Sequence, residues 1–148
     1  MTDGPGGWRR LESFSFGDSR ELAQALAELV LAGVKRATCW AASDGKLTDP
    51  GKRMVMLDGN DRPAAVLETV ELTRRRFDQV DAAFAFDEGE GDRTLEYWRS
   101  AHTRYFTRIG RFAPDMLLYC ERFRVVAKLA VPPGAPAPGG GDRTAPAC

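Results

Sequence analysis

The chain has one histidine and three cysteines in 148 residues. Cys39, Cys120 and Cys148 form neither a CxxC nor a CxxH pair, so neither a disulfide framework nor a zinc site is expected. With only His102 to add to them, no protein-built metal centre is expected, and no residue pattern asks for a cofactor. Net charge is missing as well. The 21 basic and 21 acidic residues cancel, which removes the bulk electrostatic drive for tight non-specific binding of nucleic acid. Any such contact has to come from a local patch. No window approaches the roughly 20 apolar residues of a membrane span, and the opening MTDGPGGWRR lacks a basic region followed by an apolar run. A soluble, cytoplasmic protein without a membrane partner is the expectation. A phosphate-cradling loop is absent too, because in Gly33-Val34-Lys35-Arg36-Ala37-Thr38 the lysine stands three residues before the threonine. There the helix comes before the loop, the reverse of the GxxxxGK[ST] arrangement.

What is there suits a single core, since the length is too short for two comfortable domains. The Gly-rich residues 1–13 are expected to form a flexible arm on which Trp8 can still dock. A helix follows. Asp18 reads as its N-cap, Glu21 three residues later as the second half of a capping box, and Leu22, Ala25, Leu26, Leu29 and Val30 as its apolar stripe. Gly33 reads as the residue that ends it.

The stretch Gly33–Trp40, GVKRATCW, then leads into a first strand, and Ser43–Gly51 reads as an exposed loop. Arg53–Leu57, an Asp58-Gly59-Asn60-Asp61 turn and Ala64–Leu72 form a hairpin. Phe77–Phe86 suits a helical turn or two. From about Thr94 to Arg108 the spacing of Leu95, Trp98, His102, Tyr105 and Phe106 predicts a second long helix, and Leu117–Ala127 a last strand. Residues 129–148, rich in Pro, Gly and Ala, bury too little apolar surface to offset the entropy of ordering, so a disordered tail is expected. The order of elements predicts a small α+β domain with a curved or closed antiparallel sheet.

Four groups of residues have chemistry to offer. If Lys35 and Thr38 share a cavity, the lysine can accept the threonine proton or hold a phosphate or carbonyl oxygen, provided its pKa falls toward neutrality. The plain alternative is a solvated lysine and a strand threonine. Asp87, Glu88, Glu90 and Asp92 are separated by glycines and can supply a carboxylate partner or general acid, or else simply solvate the start of a helix. His102 reads as a hydrogen-bonded core residue. Arg74, Arg75 and Arg76, with Arg36, Lys52, Arg53, Arg122 and Arg124, form either a local basic face or outward strand positions. Trp40 and Trp98 either stack on a base or fill the core.

The combination resembles a known family. The capped FGDS helix, GVKRAT, the DGN turn, ETVEL, FDQVDAAFAFDEGEGDRTLEYWRSAH and DMLLYCERFRVV together look like the ASCH domain, a branch of the PUA-like β-barrels, over residues 14–128. The resemblance implies a small PUA-like antiparallel β-barrel flanked by helices, with a cleft beside the GxKxxT loop that binds RNA or modified nucleosides. One branch of the superfamily removes the N4-acyl group of modified cytidines with a Lys, a Thr and a Glu, and another is a ribonuclease. Carried onto this chain, that set falls on Lys35, Thr38 and Glu90, with Glu88 as the alternative carboxylate. Arg36, Trp40, Glu88, Asp92, Trp98 and Arg122 then surround the substrate. Two expectations result. One is an amidohydrolase in which Thr38 attacks, Lys35 activates it and Glu90 orients or protonates. The other is a non-catalytic module for single-stranded RNA, with ribonuclease activity ranked last.

Overall fold

The computed structural model describes residues 7–129 and 142–144. Trp8 sits in a short 3-10 turn, Gly7–Arg10, and with Leu11 packs against Val55, Leu57 and Val66. Helix α1 spans Arg20–Leu31 and buries Ala23, Leu26, Ala27 and Val30. Its N-cap is Ser19 rather than Asp18. The Ser19 hydroxyl accepts the Leu22 N–H at 3.1 Å, while the Asp18 carboxylate turns outward to Arg108 at 2.7 Å. Glu21 is thereby one position too early for a capping box. Gly33, at φ 79°, takes the left-handed conformation that lets the chain leave the helix.

Helices α2, Ala82–Glu88, and α3, Leu95–Arg108, start at Asp81 and Thr94, whose side chains accept the N–H groups of Phe84 and Tyr97. α3 matches the periodic segment read from the sequence to within a residue.

The strands are β1 Ser13–Ser15, β2 Ala37–Ala41, β3 Arg53–Leu57, β4 Pro63–Arg76, β5 Leu117–Lys128 and β6 Asp142–Thr144. Their order in the sheet is β2-β5-β4-β3-β1-β6. The hairpin of β3 and β4 falls where the sequence placed it, though β4 runs four residues further. β4 pairs antiparallel with β5 over nearly its whole length, with register shifts at Val66/Leu67 and Thr69/Glu71 that bend the pair. β1 runs parallel to β3, and β6 parallel to β1. Of residues 129–148, Leu129 donates its N–H to Ala64 O and 142–144 pair as β6. The rest of that segment lies outside the described residues.

The expected antiparallel barrel is therefore corrected to an open, mixed sheet. Closure would need β2 to pair with β1 or β6 at the far end. Instead β2 and β6 end the sheet without pairing with each other among the described residues, and the chain just before β2 is tied to α2, where the Arg36 N–H donates to Asp87 O at 2.6 Å. The parallel contacts of β1 come from a three-residue strand, Ser-Phe-Ser, too short to show an alternation.

Side chains alternate across the sheet. α1 covers one face, where Phe14, Phe16, Met54, Met56, Leu67 and Phe123 form a core with Leu26, Ala27 and Val30. α2 and α3 cover Ala37, Cys39, Ala41, Leu118 and Cys120 with Phe84, Trp98 and Phe106. The functional residues lie where these layers meet, around the start of β2.

Candidate functional site

After α1 the chain is pulled inward because Leu29 O accepts the N–H groups of both Val34 and Lys35, at 2.9 and 3.1 Å. This turn buries Lys35, which keeps 1% of its surface exposed. Its Nζ lies 2.8 Å from Ala37 O, 3.3 Å from Glu88 O, 2.9 Å from Glu88 Oε1 and 3.0 Å from Glu90 Oε2. Acceptor oxygens so close on several sides hold an ammonium, because a neutral amine would waste the two carboxylates. Lys35 is thus fitted to stabilise negative charge and lacks the free lone pair that a proton acceptor needs.

The sequence left Glu88 and Glu90 as alternatives, and the fold uses both. Gly89, at φ 77°, caps α2 in the left-handed conformation, so the chain doubles back and the carboxylates reach one Nζ from two directions. Glu88 is almost fully buried, and its Oε2 accepts the indole N–H of Trp98 at 3.0 Å. Glu90 is held above the ordinary carboxyl pKa chiefly by burial, with Lys35 pulling the other way.

Trp98 stacks on His102 with ring centroids 4.2 Å apart. The His102 Nδ1 meets Trp98 O at 2.8 Å, so Nδ1 carries the proton, and Nε2 stands 3.7 Å from Glu88 Oε2. Burial lowers the His102 pKa to about 4, which leaves the ring neutral near pH 7. Cys39, Glu88 and His102 bring their ligating atoms within 4.8 Å of one another, a donor set of metal type. Both Glu88 oxygens are already bonded there, to Lys35 and Trp98, and the ammonium supplies the positive charge.

Thr38 faces away from this cluster. Its neighbour Cys39 points toward α2 and α3, so alternation sends Thr38 to the other face, into a narrow pocket lined by Phe14, Phe16, Trp40, Thr69, Glu121 and Phe123 among others. The free space is about 20 Å³, room for a single water-sized group. The Thr38 hydroxyl is buried there without a hydrogen-bond partner, a state that costs about 1–3 kcal/mol unless something enters to bond it. Lys35 and Thr38 are not hydrogen-bonded to each other. They share a wall, because the Lys35 Nζ lies 5.3 Å from the centroid of the Phe16 ring that lines the pocket.

The other expected substrate contacts divide. Trp40 is in the pocket wall, its indole N–H donating to Gly45 O at 2.8 Å. Glu88 and Trp98 belong to the buried charge cluster behind it. Arg36 and Arg122 lie outside, both bound to Asp87 at 2.9 and 2.8 Å, and Arg122 also to Glu71 at 2.9 Å. Asp92 is exposed and accepts from the Thr94 N–H and hydroxyl at 3.0 and 2.6 Å, which fixes the start of α3 and not a ligand.

Sequence reasoning missed Glu121, Thr69 and Thr48. Glu121 is buried and stands directly opposite Thr38 across the β2–β5 pair. The Thr69 hydroxyl donates to Glu121 Oε2 at 2.7 Å. Since that uses its one proton, Thr48, 2.7 Å from the Thr69 oxygen, is the donor in the next link.

A mixed α+β sheet, a buried lysine with two carboxylates and a narrow aromatic pocket beside them make up the candidate site. The chain belongs to the ASCH domain family, whose model matches residues 12–127. It is similar to protein EF3133 from Enterococcus faecalis V583, at 34% identity over 79% of this chain and 77% of that one, with a TM-score of 0.70. An ASCH domain from Lactobacillus crispatus JV V101 is similar at 33% identity, covering 79% and 80% of the two chains, again with a TM-score of 0.70. The hypothetical protein PH0355 shares the fold at 12% identity, with a TM-score of 0.54 over 77% of this chain and 99% of that one. A search of curated proteins gave no match.

Proposed function

We propose that this ASCH-domain protein binds a modified nucleoside at the Thr38 pocket and hydrolyses a small N-acyl amide, of the N4-acylcytidine type, there. The observation that carries this reading is the Thr38 hydroxyl, buried and unpartnered, opening on the same Phe16 ring that separates it from the Lys35 ammonium. A pocket with room for one water-sized group admits the acyl oxygen of the ligand, and the rest of the acyl group and the flat base stay at its aromatic mouth beside Trp40. The Thr38 oxygen adds to the acyl carbon, and the C–N bond breaks with its electron pair going to nitrogen. Glu90 stays on the far side as a partner of the Lys35 ammonium, and the proton that nitrogen takes is the one the Thr38 hydroxyl gives up. Water then cleaves the Thr38 ester and regenerates the hydroxyl. Throughout, the nearby ammonium favours the negative charge that develops on the acyl oxygen.

Recognition of RNA through phosphates ranks second, because the arginines expected on a basic face are balanced. Arg53 and Arg124 share Glu68, Arg75 meets Asp81 and Arg76 meets Asp78. The test is incubation with N4-acetylcytidine, with cytidine release followed by chromatography. Release by the parent, lost in Thr38→Ala and Lys35→Ala but kept in Asp92→Ala, is the expected outcome. No release by the folded parent refutes the hydrolytic reading.

A further inference from the structure

Thr38 needs a proton acceptor if it is to attack, and Lys35 is not placed to be one. Its Nζ donates toward Ala37 O, Glu88 and Glu90 on the α2 side of β2, whereas the Thr38 hydroxyl is on the opposite side. Glu90 shares that side with Lys35, and His102 has its own protonated nitrogen turned to Trp98 O. On the face where Thr38 points, the pocket holds one ionisable side chain, Glu121.

From this we infer that Glu121 is the general base of the site. The inference rests on the reading of Thr38 as a nucleophile and adds the group that activates it. Thr38 and Glu121 are directly opposed in the antiparallel β2–β5 pair, a relation that sets Cβ atoms about 4.5–5.5 Å apart. The register thus puts the hydroxyl and the carboxylate on neighbouring strands in the lining of one pocket. The carboxylate is itself fixed. Thr48 donates to Thr69 and Thr69 to Glu121 Oε2, both at 2.7 Å, and this relay ends on an acceptor. Thr48 lies in the loop before β3 and Thr69 on β4, so three elements converge on one carboxylate. A nucleophile, a base and an orienting group are thereby assembled, as this chemistry requires.

The proton balance closes. As the Thr38 oxygen bonds to the acyl carbon, its proton passes to Glu121, which gives it to the amide nitrogen as the C–N bond breaks. In the second half-reaction Glu121 passes a proton to the Thr38 oxygen as the ester breaks, and it takes one from the attacking water. One water is consumed, and one carboxylic acid and one amine leave.

The test uses an activated acyl donor, so that it does not depend on knowing the natural substrate. Full-length protein is mixed with p-nitrophenyl acetate, nitrophenolate release is followed, and the acetylated residue is located by mass spectrometry. The parent is expected to carry the acetyl group on Thr38. Glu121→Gln, which keeps an oxygen to accept from Thr69, is expected to slow labelling by about 10² or more, in the range of general-base contributions. It should also flatten the acid limb of the pH–rate profile. Glu121→Asp should lie between them, and thermal melts check that each variant is folded. Glu121-dependent labelling of Thr38 without release from N4-acetylcytidine supports the inference and overturns the proposed substrate. Release from N4-acetylcytidine that Glu121→Gln leaves within threefold of the parent overturns the inference and keeps the substrate. Absence of acetyl on Thr38 in the parent overturns both the nucleophile and its base.

Discussion

Replacing Lys35 by Met tests whether the buried cluster is a true ion pair. Methionine has about the length of the lysine stem, so little volume is lost, and what disappears is the ammonium with its contacts to Glu88 and Glu90 at 2.9 and 3.0 Å. Glu88 is left with the indole N–H of Trp98 as its one remaining close donor, in a place where its side chain is 1% exposed. Removing one partner of a buried pair costs about 3–5 kcal/mol, most of it the penalty of an uncompensated charge. For a domain of this size that corresponds to a fall of roughly 10–20 °C in melting temperature. In urea, with m near 2 kcal/mol/M, the midpoint should fall by about 2 M.

The double variant Lys35→Met with Glu88→Gln separates charge from packing. Glutamine keeps an acceptor for Trp98 and carries no charge, so it should restore about 1–2 kcal/mol relative to Lys35→Met alone. The coupling energy of the cycle measures the pair directly. A single-variant cost below about 1 kcal/mol, with no coupling to Glu88, would refute the ion-pair account.

Two further predictions concern the same region. His102 has a folded pKa of about 4 against an ordinary 6.5, so the unfolded chain binds the extra proton first. The stability it contributes is complete above pH 6.5 and is lost as pH falls toward 4, by about 3 kcal/mol. Urea midpoints between pH 7 and 4 should therefore fall less steeply for His102→Gln than for the parent, and equal slopes would contradict the assignment; Glu90, raised above its ordinary value, acts with the opposite sign and is common to both proteins. Gly89→Ala should cost about 2–4 kcal/mol, because a Cβ there would meet Val34 O at 2.5 Å and the Lys35 Cα at 2.8 Å in addition to the strain of φ +77°. Gly33→Ala has the same backbone strain and open space around it, so about 1–2 kcal/mol is expected, and equal costs in denaturation would remove the packing argument.

The sequence disclosed whatever is periodic or locally capped. α3, the β3–β4 hairpin and β5 emerge from spacing and turn residues. The preference for Ser19 over Asp18 was not readable, since both are good caps and the choice was settled by Arg108, ninety positions away. Closure of the sheet was misjudged because it depends on whether the two end strands, β2 and β6, meet, which no local pattern records. The resemblance located Lys35, Thr38 and the two glutamates, yet whether one or both carboxylates reach the lysine depended on the backbone angle at Gly89.

Glu121 escaped for a more general reason. In the sequence it stands between Cys120 and Arg122 on a strand that also carries Arg124, and one glutamate among such residues is what a partly exposed strand looks like. Its meaning comes from register: a shift of the β2–β5 pairing by one residue would put Thr38 opposite a different side chain and send Glu121 to the α2 side. The same alternation explains why Lys35 and Thr38 behave as two devices. Three residues apart around the start of a strand, they reach opposite faces, so the charge cluster and the hydroxyl meet only through Phe16. On the proposed reading of Thr38 as the nucleophile, a site divided in this way holds its ammonium dry and fixed on one side and sets the hydroxyl on the other. Activation of the nucleophile then has to come from the face where the ligand arrives, and on that face Glu121 is the carboxylate the fold provides.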